Sequence, residues 1–296
     1  MRKSEQTVVG GPLLEVRVGL SSSLWRIGPG WAALAGAFAS GQVNWTGGAL
    51  LRLLAIVFLT DAVWGSLWQG WCWRRTRAPG RSGMLAVDHV GWLPYFKLGS
   101  PAGHFVAWFR RLALMDGAYS LTGVLIMLAL AFSVSAWLGQ AVLWLTLVQM
   151  AVVVAGWLWA GAMGRPAVWF KVGCALVFPW LAGLLTFGHL KPAALVLMGV
   201  YSLLVWGMLA LDSGEGEAAG WFGRFLLLVV PWSVVVLLGL TGKPLAALLV
   251  GLLNLLPGML LAWSGKARAE WRWLFQRSGP WWLGGMLVAS IALGSA

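Results

Sequence analysis

The feature that most narrows what this chain can become is its succession of long apolar runs separated by short, basic connections. A helix needs about 20 mainly apolar residues to cross a bilayer, and on that measure the sequence predicts nine spans, at roughly 28–42, 48–72, 113–134, 138–162, 167–187, 193–211, 223–240, 245–263 and 280–295. The first and last of these are the shortest. Sixty per cent of the 296 residues are apolar and ten per cent charged, with a mean hydropathy of +0.81. Those values exclude a soluble domain and define an all-α polytopic membrane protein. The expected layout is a cytoplasmic tail over 1–27 and a single transmembrane domain over 28–296.

The net charge of +12 does not point to nucleic acid, because the cations lie in short clusters between apolar runs rather than along one face. Arg2, Lys3, Arg17 and Arg26 precede the first span. Arg74, Arg75, Arg77, Arg81, Lys97, Arg110 and Arg111 lie between the second and third, Arg165 after the fourth, Arg224 before the seventh, and Lys266, Arg268, Arg272 and Arg277 before the ninth. All of these fall on one side, against Lys191 and Lys243 in the opposite loops. The positive-inside rule then predicts a multi-pass protein of the bacterial cytoplasmic membrane with its N-terminus inside and C-terminus outside. Cys72 and Cys174 have neither the spacing of a metal site nor that of a disulfide framework. Met1 to Ser23 lacks the apolar core of a signal peptide.

An internal repeat runs through the second half of the chain. Pro179-Trp180 followed by Lys191-Pro192 returns as Pro231-Trp232 followed by Lys243-Pro244, at an offset of 52 that also carries Gly199 to Gly251 and Leu203-Leu204 to Leu255-Leu256. The fifth and sixth spans and the seventh and eighth thus read as one helical hairpin written twice. An offset of 150 relates Pro29 to Pro179 and Asp61 to Leu211, beside Asp212. Both acids then fall in the cytoplasmic half of the second helix of related hairpins, and duplication of this kind commonly places a site at the repeat interface.

Four stretches carry candidate chemistry. Asp61 is a carboxylate inside an apolar span, where a charge costs about 2.5 to 3.5 kcal/mol and must face a cavity or a partner. Trp64, Trp68 and Trp71 follow it at i, i+4, i+7 spacing, a stripe that can line an isoprenoid cavity or serve as packing. Residues 73–112 form a cytoplasmic cap, broken by Pro94, Gly99, Pro101 and Gly103, in which Lys97, Arg110 and Arg111 can receive a phosphate or anionic lipid heads. The acidic loop 212–222 holds Asp212, Glu215 and Glu217 among glycines, oxygen ligands suited to Mg²⁺, or else a solvated turn. His89, His104 and His189 share no helix at metal spacing, although a single one can ligate a pigment. Most of the 23 tryptophans lie near span ends, as in an interfacial belt.

Nine spans, hairpin repeats and acids after the second and sixth helices together resemble the UbiA superfamily of intramembrane prenyltransferases. The run Glu215-Gly216-Glu217 closing on Gly220 is similar to that family's second acidic motif. Asp61 stands at the first, but Gly65 and Gln69 follow it where the family has further acids. The resemblance implies an isoprenyl diphosphate held through Mg²⁺ by Asp61, Asp212, Glu215 and Glu217. It also implies Lys97, Arg110 and Arg111 on the diphosphate, Trp64 and Trp68 beside the prenyl chain, and a quinone or tetrapyrrole acceptor. The departure at the first motif leaves a second expectation open. In it, a non-catalytic UbiA-like subunit or assembly factor of a photosynthetic or respiratory membrane complex binds an isoprenoid lipid or pigment, with membrane lipids and partner proteins around it.

Overall fold

The computed structural model describes residues 28–65, 67, 119–163, 168–213, 217–263 and 268–295, and among them every regular element is helical. Helix α1 is Pro29–Ala39, and α2 is Gly47–Val57, continued without a break by a π-helical segment, Phe58–Trp64. Then come α3 (Tyr119–Leu138) and α4 (Gln140–Met163). A composite rod follows, made of α5 (Val168–Val172), a second π segment (Gly173–Val177) and α6 (Phe178–Phe187). The remaining helices are α7 (Pro192–Ser213), α8 (Glu217–Leu240), α9 (Pro244–Trp263) and α10 (Arg268–Gly294). Among the described residues, five helices are long and apolar enough to cross a membrane: Gly47–Trp64, Val168–Phe187, Pro192–Leu211, Gly220–Leu240 and Pro244–Ala262. The chain is a helical integral membrane protein on this ground. Leu125–Leu138 and Gln140–Gly156 are shorter apolar helical stretches.

Helix α1 organises the rest. In its sequence, PGWAALAGAFA, seven of the eleven residues are Gly or Ala, and such residues let helix backbones approach closely where no hydrophobic effect drives association in lipid. Its main neighbours are α6, α10 and α2. A methyl group added to Gly36 would collide with the Trp180 carbonyl, and one added to Gly183 with the Ala33 carbonyl. The α1–α6 crossing is therefore backbone against backbone. One core joins Ala32, Ala35 and Ala39 to α6 through α10. A smaller core joins Ala33 and Ala182 to the π segment at Asp61, α3 and α4. Between α3 and α4, Ser135 and Thr146 share a hydrogen bond of 2.6 Å, and Thr146 also donates to the Val142 carbonyl.

The turns at one end of the bundle gather on a common face. Gly188 lies against Ser40 and Gln42, Gly41 against the Gly294 carbonyl and Lys191, and the Lys243 ammonium donates to Ser295 at 3.5 Å. Gly41 and Gly242 have φ of 71° and 73°, the left-handed conformation that glycine adopts without Cβ strain and that ends a helix sharply.

The two hairpins that the sequence offset of 52 aligns share a device and differ in packing. Pro192 and Pro244 are each the first residue of a helix, where proline's missing N–H removes no hydrogen bond. Helices α8 and α9 pack along one another. Helix α6 instead leans on α1, while α7 packs chiefly on α8. Trp180 is consequently buried and stacked on Tyr201 at 6.3 Å, whereas Trp232 is 45% exposed.

Two boundaries depart from the sequence reading. The last helix begins at Arg268, not near 280, because Pro280 sits inside it rather than at its start. The charged first turns had concealed it from a hydropathy measure. The acidic loop expected over 212–222 is largely helical: α7 runs through Asp212 to Ser213 and α8 opens at Glu217. Glu217 thereby occupies a helix N-terminus, where the dipole favours an acid, and Asp212 the end of one, where it does not.

Candidate functional site

The described site is built where α1 begins. Gly28 precedes the helix in extended conformation with no side chain to cap it, and Pro29 follows with no N–H. The first regular bond runs from the Ala32 amide to the Gly28 carbonyl at 3.0 Å. Gly30 N–H is therefore one of the orphan donors every helix start exposes. Local sequence supplies no Ser, Thr, Asp or Asn for it. Asp61 supplies the acceptor instead from the neighbouring rod: its Oδ1 accepts from Gly30 N–H at 2.6 Å. Asp61 is only 5% exposed, and its carboxylate lies across Gly30 so closely that an added Cβ would sit 2.5 Å from Oδ2 and 2.9 Å from Cγ. A carboxyl group at a helix N-terminus meets both the unpaired amides and the positive end of the dipole. The buried acid and the buried amide answer each other.

The π segment presents Asp61 at this point. Switching from i−4 to i−5 pairing deprives carbonyls at the switch of a regular donor, and the Thr60 hydroxyl donates to the Ile56 carbonyl at 2.9 Å and the Val57 carbonyl at 3.3 Å. At the far end Gly65 N–H reaches the Thr60 carbonyl. The second π segment ends just before Pro179, whose missing N–H makes a widened turn inexpensive. Both widened turns pack against α1. Hydropathy and periodicity carry no mark of either; a threonine one residue before a buried acid and a proline within an apolar span are the nearest sequence signals.

The other residues expected at the site distribute as follows. Trp64 is buried in the smaller core with Ile56, Leu59, Val63 and Leu67. It is a packing residue, and its indole N–H has no partner among the described residues. Asp212 and Glu217 sit near the adjoining ends of α7 and α8, which residues 214–216 separate in sequence, while the principal neighbours of the Asp61 segment are α1, α2 and α3. Glu215, Trp68, Lys97, Arg110, Arg111 and the cap 73–112 lie outside the described residues. Among the described residues, no three His, Cys, Asp or Glu gather as a metal-holding group. No family model, curated protein or solved structure matches this chain.

Proposed function

We propose that the protein is a non-catalytic, UbiA-like membrane subunit or assembly factor, built as nine spans of repeated hairpins, that holds an isoprenoid lipid or pigment among its helices and offers a tryptophan-rich surface to membrane partners. One observation carries the reading. Asp61, the acid standing where the first Mg²⁺-binding motif would be, is buried against Gly30 and spends its Oδ1 on the start of α1. Mg²⁺ in a diphosphate site keeps several waters and needs carboxylates open to them. A carboxylate wedged at a helix start meets that need poorly. The outward faces of the helices fit the same reading, with Trp144, Trp169, Trp221 and Trp273 each about half exposed or more.

Prenyl transfer is the second reading, and the observation favouring it is the position of Asp212 and Glu217 at adjoining helix ends, with Glu215 between them in sequence. The two readings separate in one experiment: binding of an isoprenyl diphosphate to the purified protein with and without Mg²⁺, for the parent, Asp61→Asn and Asp212→Asn. The subunit reading expects no Mg²⁺-dependent binding in any of the three, and isoprenoid or pigment with partner proteins in mild-detergent extracts. Mg²⁺-dependent binding abolished by Asp212→Asn overturns it.

A further inference from the structure

Opposite the Asp61 end, on the face where the turns gather, lies a cavity of about 300 Å³ lined by Gln42, Asn44, Thr46, Gly48, Ala49, Arg52 and Phe187. That volume is at the lower end of the range for small-molecule sites. Its chemistry is specific. Arg52 stands in the second turn of a membrane-crossing helix, a place where a guanidinium is expensive unless it reaches the interface or meets an anion. Arg52 is exposed, and no ion pair to it exists among the described residues. Lys191 lies over the adjacent Gly41 turn, and Lys243 stands on the same face. The described turns of this face, 40–46, 188–191 and 241–243, hold no Asp or Glu.

The cavity therefore offers a planar bidentate donor, two carboxamides and a positive surround, the set that recognises a phosphate. Below it, the same helix leaves Leu51, Leu54 and Phe58 exposed at 55%, 61% and 46%, spaced along one side and descending into the apolar depth. Polar recognition at headgroup height above an apolar stripe is the signature of an amphiphile rather than of a free ion. We propose that the Arg52 cavity binds the phosphate of an anionic phospholipid, with the headgroup against Gln42 and Asn44 and the acyl chains along Leu51, Leu54 and Phe58. This site is separate from the Asp61 node and independent of the subunit reading.

The test is retention of phosphatidylglycerol against phosphatidylcholine by the full-length protein in nanodiscs or by native mass spectrometry. Loss of one charge-assisted pair corresponds to about a tenfold fall in affinity at 1.4 kcal/mol per decade. The parent should prefer phosphatidylglycerol. Arg52→Gln should abolish the preference, Arg52→Lys should reduce it, and Arg277→Gln, in the first half of α10 and away from this face, should leave it within about twofold. Gly48→Leu tests the cavity without touching the charge: a Cβ at Gly48 would meet nothing within 4 Å, so the backbone accepts a side chain there, and the leucine should displace the lipid. Equal retention of both lipids by the parent, or an unchanged preference in Arg52→Gln and Gly48→Leu, overturns the proposal. Displacement of bound phosphatidylglycerol by inorganic phosphate below about 10 mM would assign the cavity to a free anion and overturn the lipid assignment.

Discussion

Replacing Gly30 with alanine tests the helix-start node most directly. The new methyl would lie 2.5 Å from Asp61 Oδ2, 2.9 Å from its Cγ and 3.1 Å from Val57 Cγ1, all inside van der Waals contact, so either the carboxylate or α1 must move. Moving the carboxylate gives up the 2.6 Å hydrogen bond, a loss of about 1 to 3 kcal/mol for a buried pair. Holding it in place costs about 1 to 3 kcal/mol of overpacking. Because these are alternative responses to one collision, the expected loss is about 2 to 3 kcal/mol rather than their sum. Reversible unfolding in mixed detergent micelles measures it. The coupling is the sharper readout: in an Asp61→Ala background the two closest contacts are gone and only Val57 Cγ1 at 3.1 Å remains, so Gly30→Ala should cost at least about 1.5 kcal/mol less than in the parent. A loss below about 0.5 kcal/mol in the parent, or strict additivity with Asp61→Ala, would refute the node.

Gly36→Ala should destabilise by about 2 kcal/mol or more, because the methyl meets the Trp180 backbone carbonyl. Gly199→Ala, with open space at its Cβ, should be neutral or stabilise by up to about 1 kcal/mol under the same unfolding assay. Thr60→Val should cost about 1 to 2 kcal/mol by removing the hydroxyl that serves Ile56 and Val57, and Thr60→Ser should recover most of that. Cys174 is buried, 1% exposed, and should resist maleimide in the folded protein and react once it unfolds, as read by mass shift in a Cys72→Ser background.

How much of this was legible in the sequence depends on what each residue needed. Pro192–Leu211 and Pro244–Ala262 stand where uninterrupted apolar length placed them, because that signal is local. Asp61 was identifiable as an acid in need of a partner, since its cost in apolar surroundings is a property of the residue alone. Its partner was not identifiable: Gly30 is an amide donor by default, and only the packing of two helices reveals that nothing nearer caps it. Pro280 misled for the opposite reason. Proline and a charged run together resemble a helix boundary, yet tertiary packing carries α10 through both. Arg52 carries no signal of its own under the charge rule, which counts loops, because this arginine lies inside a span.

The shape of α1 bears on how the protein is made. At eleven residues it is about 16 Å long, roughly half the apolar thickness of a bilayer, and eight of its residues are buried. Two of its walls, α6 and α10, come from far later in the chain, and a methyl at Gly294 would strike the Phe38 carbonyl at its C-terminal end. A ribosome that has delivered α1 has not yet delivered the surroundings that make it stable. The segment is thus made well before the walls it packs against, and it reaches its final environment only once α10 has been delivered.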